Sequence, residues 1–83
     1  MANFLYFAWV REKIGTQAES IDLPPEISTV ADVISHLRKQ GEHYDEALAD
    51  GNLRVAVNQT YAQPESLVTN QDEIAIFPPV SGG

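Results

Sequence analysis

The chain has 83 residues, 43% of them hydrophobic, and its twelve Asp and Glu residues against five Lys and Arg residues give a net charge of −7. This length allows one small domain, which buries about 60–65% of the surface that its unfolded chain exposes. The charge argues against nucleic-acid binding, which needs a basic face, and it favours either a basic partner surface or simply solubility.

The first predicted elements are two strands. Residues 3–10 are rich in aromatic and aliphatic side chains and predict a strand that is apolar on both faces. Such a strand is usually covered on both faces, so we expect a helix over one face and, over the other, a partner protein or a tolerated exposed patch. A polar turn at residues 11–15, which Gly15 ends, leads to a second strand at residues 18–23. The short spacing predicts a hairpin.

A capped helix follows the two strands. Thr29 is the predicted N-cap residue, and Asp32 three positions later makes a variant of the capping box. The next apolar residues recur at helical spacing and form one stripe, which consists of Val30, Val33, Ile34 and Leu37. Gly41 is predicted to end this helix, and residues 42–49 predict a second, shorter and acidic helix.

The second half of the chain predicts two or three further strands. Residues 53–58 and 73–77 alternate in hydrophobicity, and Asn58-Gln59-Thr60 predicts a turn into a short return strand at residues 61–62. Together the elements predict an α+β fold, in which a mixed sheet of four to five strands packs on one main helix. We expect residues 1–77 to form the domain and residues 78–83 to form a flexible, extended C-terminal tail, since Pro78 and Pro79 resist helices and central strands.

Side chains give no convincing catalytic or metal site. The chain has no cysteine, which excludes disulfides, thiolate ligands and a thiol nucleophile and is compatible with a reducing cytosol. His36 and His43 are too few for a metal site, which needs three or four convergent ligands. The acidic residues 42–50 are interpreted as a solvated helix face.

No apolar run approaches the roughly 18–20 residues that a membrane helix needs, and no secretion signal is evident at the N-terminus.

The C-terminal sequence Phe-Pro-Pro-Val-Ser-Gly-Gly is therefore the candidate functional segment. Its last six residues, 78–83, span roughly 20 Å when extended, at about 3.3–3.6 Å per residue. The terminal glycines leave the carboxylate free of neighbouring side chains and let the backbone enter a narrow channel. An ionised carboxylate is a poor electrophile, so chemistry at this group requires activation, for instance as an adenylate. The alternative is a frayed terminus without a function.

Three segments of the chain resemble the family of molybdopterin synthase small subunits. Members of this family are sulfur carriers with a ubiquitin-like β-grasp fold. They are residues 7–12, residues 56–60 with the sequence AVNQT, and residues 72–83 with the ending FPPVSGG. The resemblance spans the whole chain, and its most specific part is the C-terminal sequence.

This resemblance implies a chemistry for the C-terminus. An activating enzyme would use ATP to adenylate Gly83, and a sulfur donor would then convert the adenylate to a thiocarboxylate. The tail would enter the large subunit of molybdopterin synthase and pass the sulfur to cyclic pyranopterin monophosphate. Two carriers would supply the two sulfurs of the dithiolene, within a heterotetramer. The chain would be a cytoplasmic sulfur-donor subunit, with no enzyme activity by itself and no bound cofactor.

The resemblance also assigns roles to single residues. Gly83 would carry the thiocarboxylate and Gly82 would be its small companion. The inserting tail would consist of Pro78, Pro79, Val80 and Ser81. Phe7, Tyr61 and Phe77 would dock partner proteins, whereas Trp9 and Arg11 receive no role. Two alternatives stay open: a sulfur carrier for thiamine or tRNA thiolation, and a β-grasp interaction module with an inert tail.

Overall fold

The computed structural model describes residues 1–49 and 51–79. In chain order, their strands and helices are β1 (Ala2–Tyr6), α1 (Ala8–Ile14), β2 (Ala18–Ile21), α2 (Val30–Arg38), α3 (Glu42–Leu48), β3 (Arg54–Val57), β4 (Thr60–Ala62) and β5 (Glu73–Phe77). The five strands form one mixed sheet in the order β2-β1-β5-β3-β4. The predicted α+β fold is confirmed, with two helices besides α2. None of the helices in the described part is long and apolar enough to cross a membrane.

The first and last strands lie side by side in the middle of the sheet. β1 pairs in parallel with β5, so that Phe4 stands opposite Ile74 and Tyr6 opposite Ile76. All four side chains are at most 1% exposed. β3 pairs with the other edge of β5 in antiparallel direction. The strand that leads into the C-terminal tail is therefore held on both sides and anchored in the core.

Helix α2 covers the inner face of this sheet, and its predicted cap is confirmed. The Thr29 hydroxyl accepts a hydrogen bond of 3.2 Å from the Asp32 N–H, and the Asp32 carboxylate accepts from the Ser28 and Thr29 N–H groups at 3.2 Å each. These backbone donors, Ser28 first, lower the pKa of Asp32. The stripe points inward as expected, with Val30, Val33 and Leu37 buried.

The prediction of a strand over residues 3–10 is wrong for its last part. The chain leaves the sheet at Phe7, turns at Ala8 with a φ of 53°, and forms α1. Helical spacing explains the change, because Val10 and Ile14 lie one turn apart and both pack on the core. Trp9 therefore lies on α1 and not on a strand, and it packs against the edge of the core, with the Lys13 ammonium 5.9 Å from its ring centroid.

The predicted pairing of the first two strands is confirmed, but their connection is longer than the predicted turn at residues 11–15. The two strands do pair in antiparallel direction, from Ala2 opposite Ile21 to Leu5 opposite Ala18. The whole of α1 stands between them, and Gly15, with a φ of 95°, ends the helix in the left-handed conformation. The Gly15 N–H donates to the Arg11 carbonyl at 2.8 Å, which closes the last turn.

Gly41 does not end α2 as predicted. That helix ends at Arg38, its C-cap Lys39 keeps a right-handed φ of −83°, and the Gln40 N–H donates to the Leu37 carbonyl at 2.9 Å. Gly41 instead precedes α3 as its N-cap residue. Right-handed closure of the last turn leaves no position there that needs glycine. The predicted second helix is confirmed as α3, which buries Ala47 and Leu48.

A polar cluster ties α3 to the sheet. The Tyr6 hydroxyl donates to the Glu19 carboxylate of β2 at 2.8 Å, and the Tyr44 hydroxyl of α3 donates to its two oxygens at 3.0 and 2.8 Å. Burial, followed by the Glu19 carboxylate, raises the pKa of Tyr6 and raises that of Tyr44 to about 12. Both phenols thus stay protonated and keep donating at neutral pH.

Candidate functional site

The outer face of the sheet carries the three side chains that were predicted to dock partners. On the inner face, Val55, Ile76 and Tyr6 form a buried row across β3, β5 and β1. The next residues along each strand point to the opposite face, because side chains alternate in a strand. These residues form the outer row Tyr61–Ala56–Ala75–Leu5, in register across four strands.

Phe7 and Phe77 extend this apolar row. The Phe7 N–H donates to the Ile76 carbonyl at 3.2 Å, which places Phe7 beside the end of β5. The Tyr61 and Phe77 rings lie with their centroids 6.0 Å apart. Tyr61 is 75% exposed and Phe7 is 48% exposed, whereas Phe77 is half-buried. We call this surface the outer patch, and it consists of Leu5, Phe7, Ala56, Tyr61, Ala75 and Phe77.

The turn between β3 and β4 fixes the position of Tyr61 in the outer patch. Asn58 and Gln59 have φ values of 52° and 70°, as a tight hairpin turn requires. The Asn58 side chain accepts from the Glu73 N–H at 3.0 Å and donates to Asp72 at 3.0 Å. This contact, followed by the Thr69 N–H, lowers the pKa of Asp72. The predicted turn is confirmed, but the role of Asn58 in holding β4 to the start of β5 was missed.

The tail begins next to the outer patch. Phe77 is the last residue of β5, Pro78 is half-buried and Pro79 is exposed. The predicted site residues Val80, Ser81, Gly82 and Gly83 lie outside the described residues. The predicted domain boundary after residue 77 and the predicted flexibility of the tail therefore stay predictions. The described chain shows where the tail starts, which is beside the outer patch.

Two arginines lie near the outer patch. Arg54 pairs with Phe77 across β3 and β5 and is exposed. Its side chain makes no hydrogen bond or ion pair among residues 1–49 and 51–79. Arg11 follows Phe7 by one helical turn, with its N–H donating to the Phe7 carbonyl at 3.4 Å. Arg54 is thus one of only five basic residues in the chain and lies beside the outer patch, whereas Arg11 adjoins Phe7 through its backbone.

A groove continues from the outer patch around the edge strand β4 to α2. Its volume is about 750 Å³, and Tyr61, Phe77 and Pro79 form the end nearest the tail. Ala31 and Ile34 of α2 line the opposite wall. Sequence reasoning missed this groove, because its walls come from segments that are distant in sequence.

The described residues hold no cluster of three or more His, Asp or Glu side chains that could bind a metal ion. His36 contacts Gln40, two residues beyond the end of α2, with 3.3 Å between the two side-chain nitrogens, and His43 is exposed on α3. The outer patch and the start of the tail beside it thus offer an exposed apolar surface that can bind a protein.

Proteins of known function match this chain over its full length. The molybdopterin synthase sulfur carrier subunit of Haemophilus influenzae is 48% identical over 83 residues, which are 100% of both chains. The protein of the same name from Escherichia coli is 42% identical, again over 100% of both chains. Among solved structures, small archaeal modifier protein 1 of Haloferax volcanii has a TM-score of 0.76 at 26% identity, covering 99% of this chain and 98% of that one.

The ThiS family profile matches residues 4–83, which include all the segments that carry the predicted resemblance. The fold, the outer patch and the chain end thus belong to one continuous family match. The prediction from the sequence is confirmed: this chain belongs to the ThiS family, together with the molybdopterin synthase sulfur carrier subunits.

Proposed function

We propose that this protein is the sulfur carrier subunit of molybdopterin synthase and that its C-terminal Gly83 carries the sulfur. The observation that carries the proposal is the full-length match to carrier subunits of that name, at 48% and 42% identity. The structure supports it, because the strand that leads into the tail is anchored in the core and ends beside an exposed apolar surface.

The chemistry takes place at the α-carboxyl group of Gly83. A carboxylate oxygen attacks the α-phosphorus of ATP on an activating enzyme, which releases pyrophosphate and gives the acyl-adenylate. Sulfur at the oxidation level of sulfide, supplied by a donor, then attacks the acyl carbon, AMP leaves, and the thiocarboxylate remains. The thiocarboxylate sulfur attacks a carbon of cyclic pyranopterin monophosphate in the large subunit, and water hydrolyses the resulting thioester, so that the sulfur stays on the pterin and the Gly83 carboxylate is restored. One carrier is used for each of the two sulfurs. The ATP belongs to the activating enzyme, and this chain binds no cofactor.

The outer patch is the part of this chain that binds its partners. Phe7, Tyr61 and Phe77 offer apolar area around the start of the tail, and exposed aromatic side chains are the commonest anchors of protein interfaces. Both the activating enzyme and the large subunit act on the same C-terminus, and the tail starts beside the outer patch. We therefore expect the two partners to bind this surface one after the other. Pro78 and Pro79 stiffen the segment between the patch and Ser81, so that docking directs the chain end into the partner's active site.

The assembly is a heterotetramer of two carriers and two large subunits in the cytoplasm. No nucleic acid or membrane takes part, in line with the net charge of −7.

A partner test distinguishes this function from its alternatives. The chain is expected to copurify with the molybdopterin synthase large subunit of its own organism, and the thiocarboxylated chain is expected to form molybdopterin from cyclic pyranopterin monophosphate in that complex. Copurification with a thiazole synthase instead would assign it to thiamine. A chain that binds partners equally well without Gly83, and that never supports sulfur transfer, would be an interaction module only.

A further inference from the structure

The groove beside β4 differs in charge from the rest of the molecule. The chain has twelve acidic and five basic residues, yet the groove is lined by two arginines, Arg38 and Arg54, and by no acidic side chain of the described part. Most of its remaining lining is apolar. Such a surface is complementary to a segment that combines apolar side chains with a carboxylate.

The two arginines differ in how free they are. The Arg38 side chain forms an ion pair of 2.8 Å with Asp45 of α3 and so already has an acidic partner. Arg54 has no such partner in the described chain. It stands opposite Phe77 in the β3–β5 pairing, where the outer patch meets the groove. An acidic group bound along the groove would therefore pair with Arg54.

The groove also continues the proposed docking surface without a gap. Tyr61 and Phe77 belong to the outer patch and line the groove as well. A protein that covers the outer patch thus reaches the groove with its next segment. The volume of about 750 Å³ accommodates several side chains.

We propose that the groove between α2 and β4 binds an acidic, partly apolar segment of the large subunit, with a carboxylate of that segment paired to Arg54. The proposal rests on the proposed function, because it adds a second contact for the same partner. The outer patch supplies apolar area that surrounds the tail, and the groove adds a charge-dependent contact that helps select the partner.

The test measures the affinity of the full chain for the large subunit by isothermal titration calorimetry, with one pair of variants for charge. Arg54→Glu is expected to weaken binding at least tenfold, because it replaces one attractive charge pair by a repulsive one. Arg54→Lys is expected to weaken binding less than threefold, because it keeps the positive charge. Lys39→Glu makes the same change of charge at an exposed position outside the groove and is expected to change the affinity less than twofold. The Arg54→Glu effect is expected to shrink as salt is raised.

A second pair of variants tests shape. Ala31 is exposed and lines the groove, so Ala31→Tyr fills the groove without disturbing the core. Ser35→Tyr places the same side chain at an exposed position of α2 outside the groove. We expect at least a tenfold loss of affinity for the first and less than twofold for the second, with unchanged thermal unfolding for both.

Other results would overturn the proposal. If Ala31→Tyr and Arg54→Glu bind like the unchanged chain while Phe77→Ala loses affinity, the groove is not a contact and the proposed function still holds. If Phe77→Ala and deletion of Gly83 also change neither binding nor sulfur transfer, the proposed function fails as well.

A concentration-dependent dimer in sedimentation that Ala31→Tyr abolishes would assign the groove to a second copy of the chain. Chemical-shift changes at Ala31 and Arg54 on removal of residues 80–83 would assign it to the chain's own tail. Either result replaces the proposed occupant.

Discussion

The two faces of the sheet are built from the same strands but differ in how much of their apolar surface is exposed. On the inner face, Phe4, Ile74 and Ile76 are at most 1% exposed beneath the helices. On the outer face, one residue along β5 from Ile76, Phe77 is half-buried, and its neighbour Tyr61 on β4 is 75% exposed. Since side chains alternate along a strand, β5 contributes Ile74 and Ile76 to the core and places Ala75 and Phe77 on the face that we propose binds a partner.

This difference shows how an 83-residue chain can combine a buried core with an exposed apolar surface. A helix covers only one side of a single sheet, so the other side stays available. We therefore expect substitutions on the inner face to change mainly the free energy of unfolding. Substitutions on the outer face and in the tail are expected to change mainly binding and sulfur transfer.

The largest effect is expected from deletion of Gly83. This change removes the carboxyl group that would carry the sulfur, so sulfur transfer to the pterin should be lost completely. The free energy of unfolding should stay unchanged, because β5 ends at Phe77. A molybdopterin formation assay and urea denaturation measure the two effects. Retained transfer, or a loss of stability like that of a core substitution, would contradict this expectation.

Ile76→Ala tests the inner face. Ile76 is fully buried between Tyr6 and Val55, and truncation of such a side chain costs about 2–5 kcal/mol of unfolding free energy. Urea denaturation at neutral pH measures this cost. Without urea, where the variant is still folded, its affinity for the large subunit should stay within about threefold of that of the unchanged chain, which corresponds to less than roughly 0.7 kcal/mol.

Phe77→Ala tests the outer face one residue away. We expect a loss of about 2 kcal/mol or more in binding to the large subunit, roughly thirtyfold in Kd, as for an aromatic anchor. The unfolding free energy should change by less than that of Ile76→Ala. Leu67→Ala is the matched control, since Leu67 is 76% exposed but lies outside the outer patch. Equal affinities for both variants would show that the outer patch is not the docking surface.

Tyr44→Phe tests the polar cluster under α3. Loss of its hydrogen bonds to Glu19 should lower the unfolding free energy by about 1.5 kcal/mol at pH 7. Burial and the Glu19 carboxylate raise the pKa of Tyr44 from 10.0 to about 12. Its contribution is therefore complete below pH 10 and is lost as the pH rises towards 12. The variant should lose stability less steeply in this range, although Tyr6, whose pKa is also raised, keeps part of the slope.

The smallest effect is expected at the helix cap. Thr29→Ala removes the hydroxyl that accepts from the Asp32 N–H and should lower the unfolding free energy by about 1 kcal/mol, whereas Thr29→Ser should retain most of it. Thermal unfolding of both variants measures the difference. Binding to the large subunit should be the same for both, since Thr29 belongs neither to the outer patch nor to the lining of the groove.

The fold could be predicted from the sequence where local signals agree. The capping box at Thr29 and Asp32, the apolar stripe of α2 and the alternation in residues 73–77 each fix an element by nearest neighbours alone. The end of β1 could not be predicted, because residues 3–10 carry apolar side chains at both odd and even positions and so show no alternation that stops at a particular residue. Only packing decides that Ala8 turns with a positive φ and that Val10 lies on a helix.

The candidate site was predicted in part. Phe7, Tyr61 and Phe77 follow from the family resemblance and do lie on one surface. The contributions of Leu5, Ala56 and Ala75 depend on the register of four strands, which local patterns do not contain. The same holds for Arg54 and the groove, whose walls come from α2, β3 and β4.

The most direct measurement is the intact mass of the chain after incubation with its activating enzyme, ATP and a sulfur donor. The proposed chemistry predicts an increase that corresponds to replacement of one oxygen by one sulfur, located in the C-terminal peptide that ends at Gly83 and absent when ATP is omitted. An unchanged mass under conditions in which the same enzyme and sulfur donor convert a known carrier would contradict the proposal that Gly83 carries the sulfur.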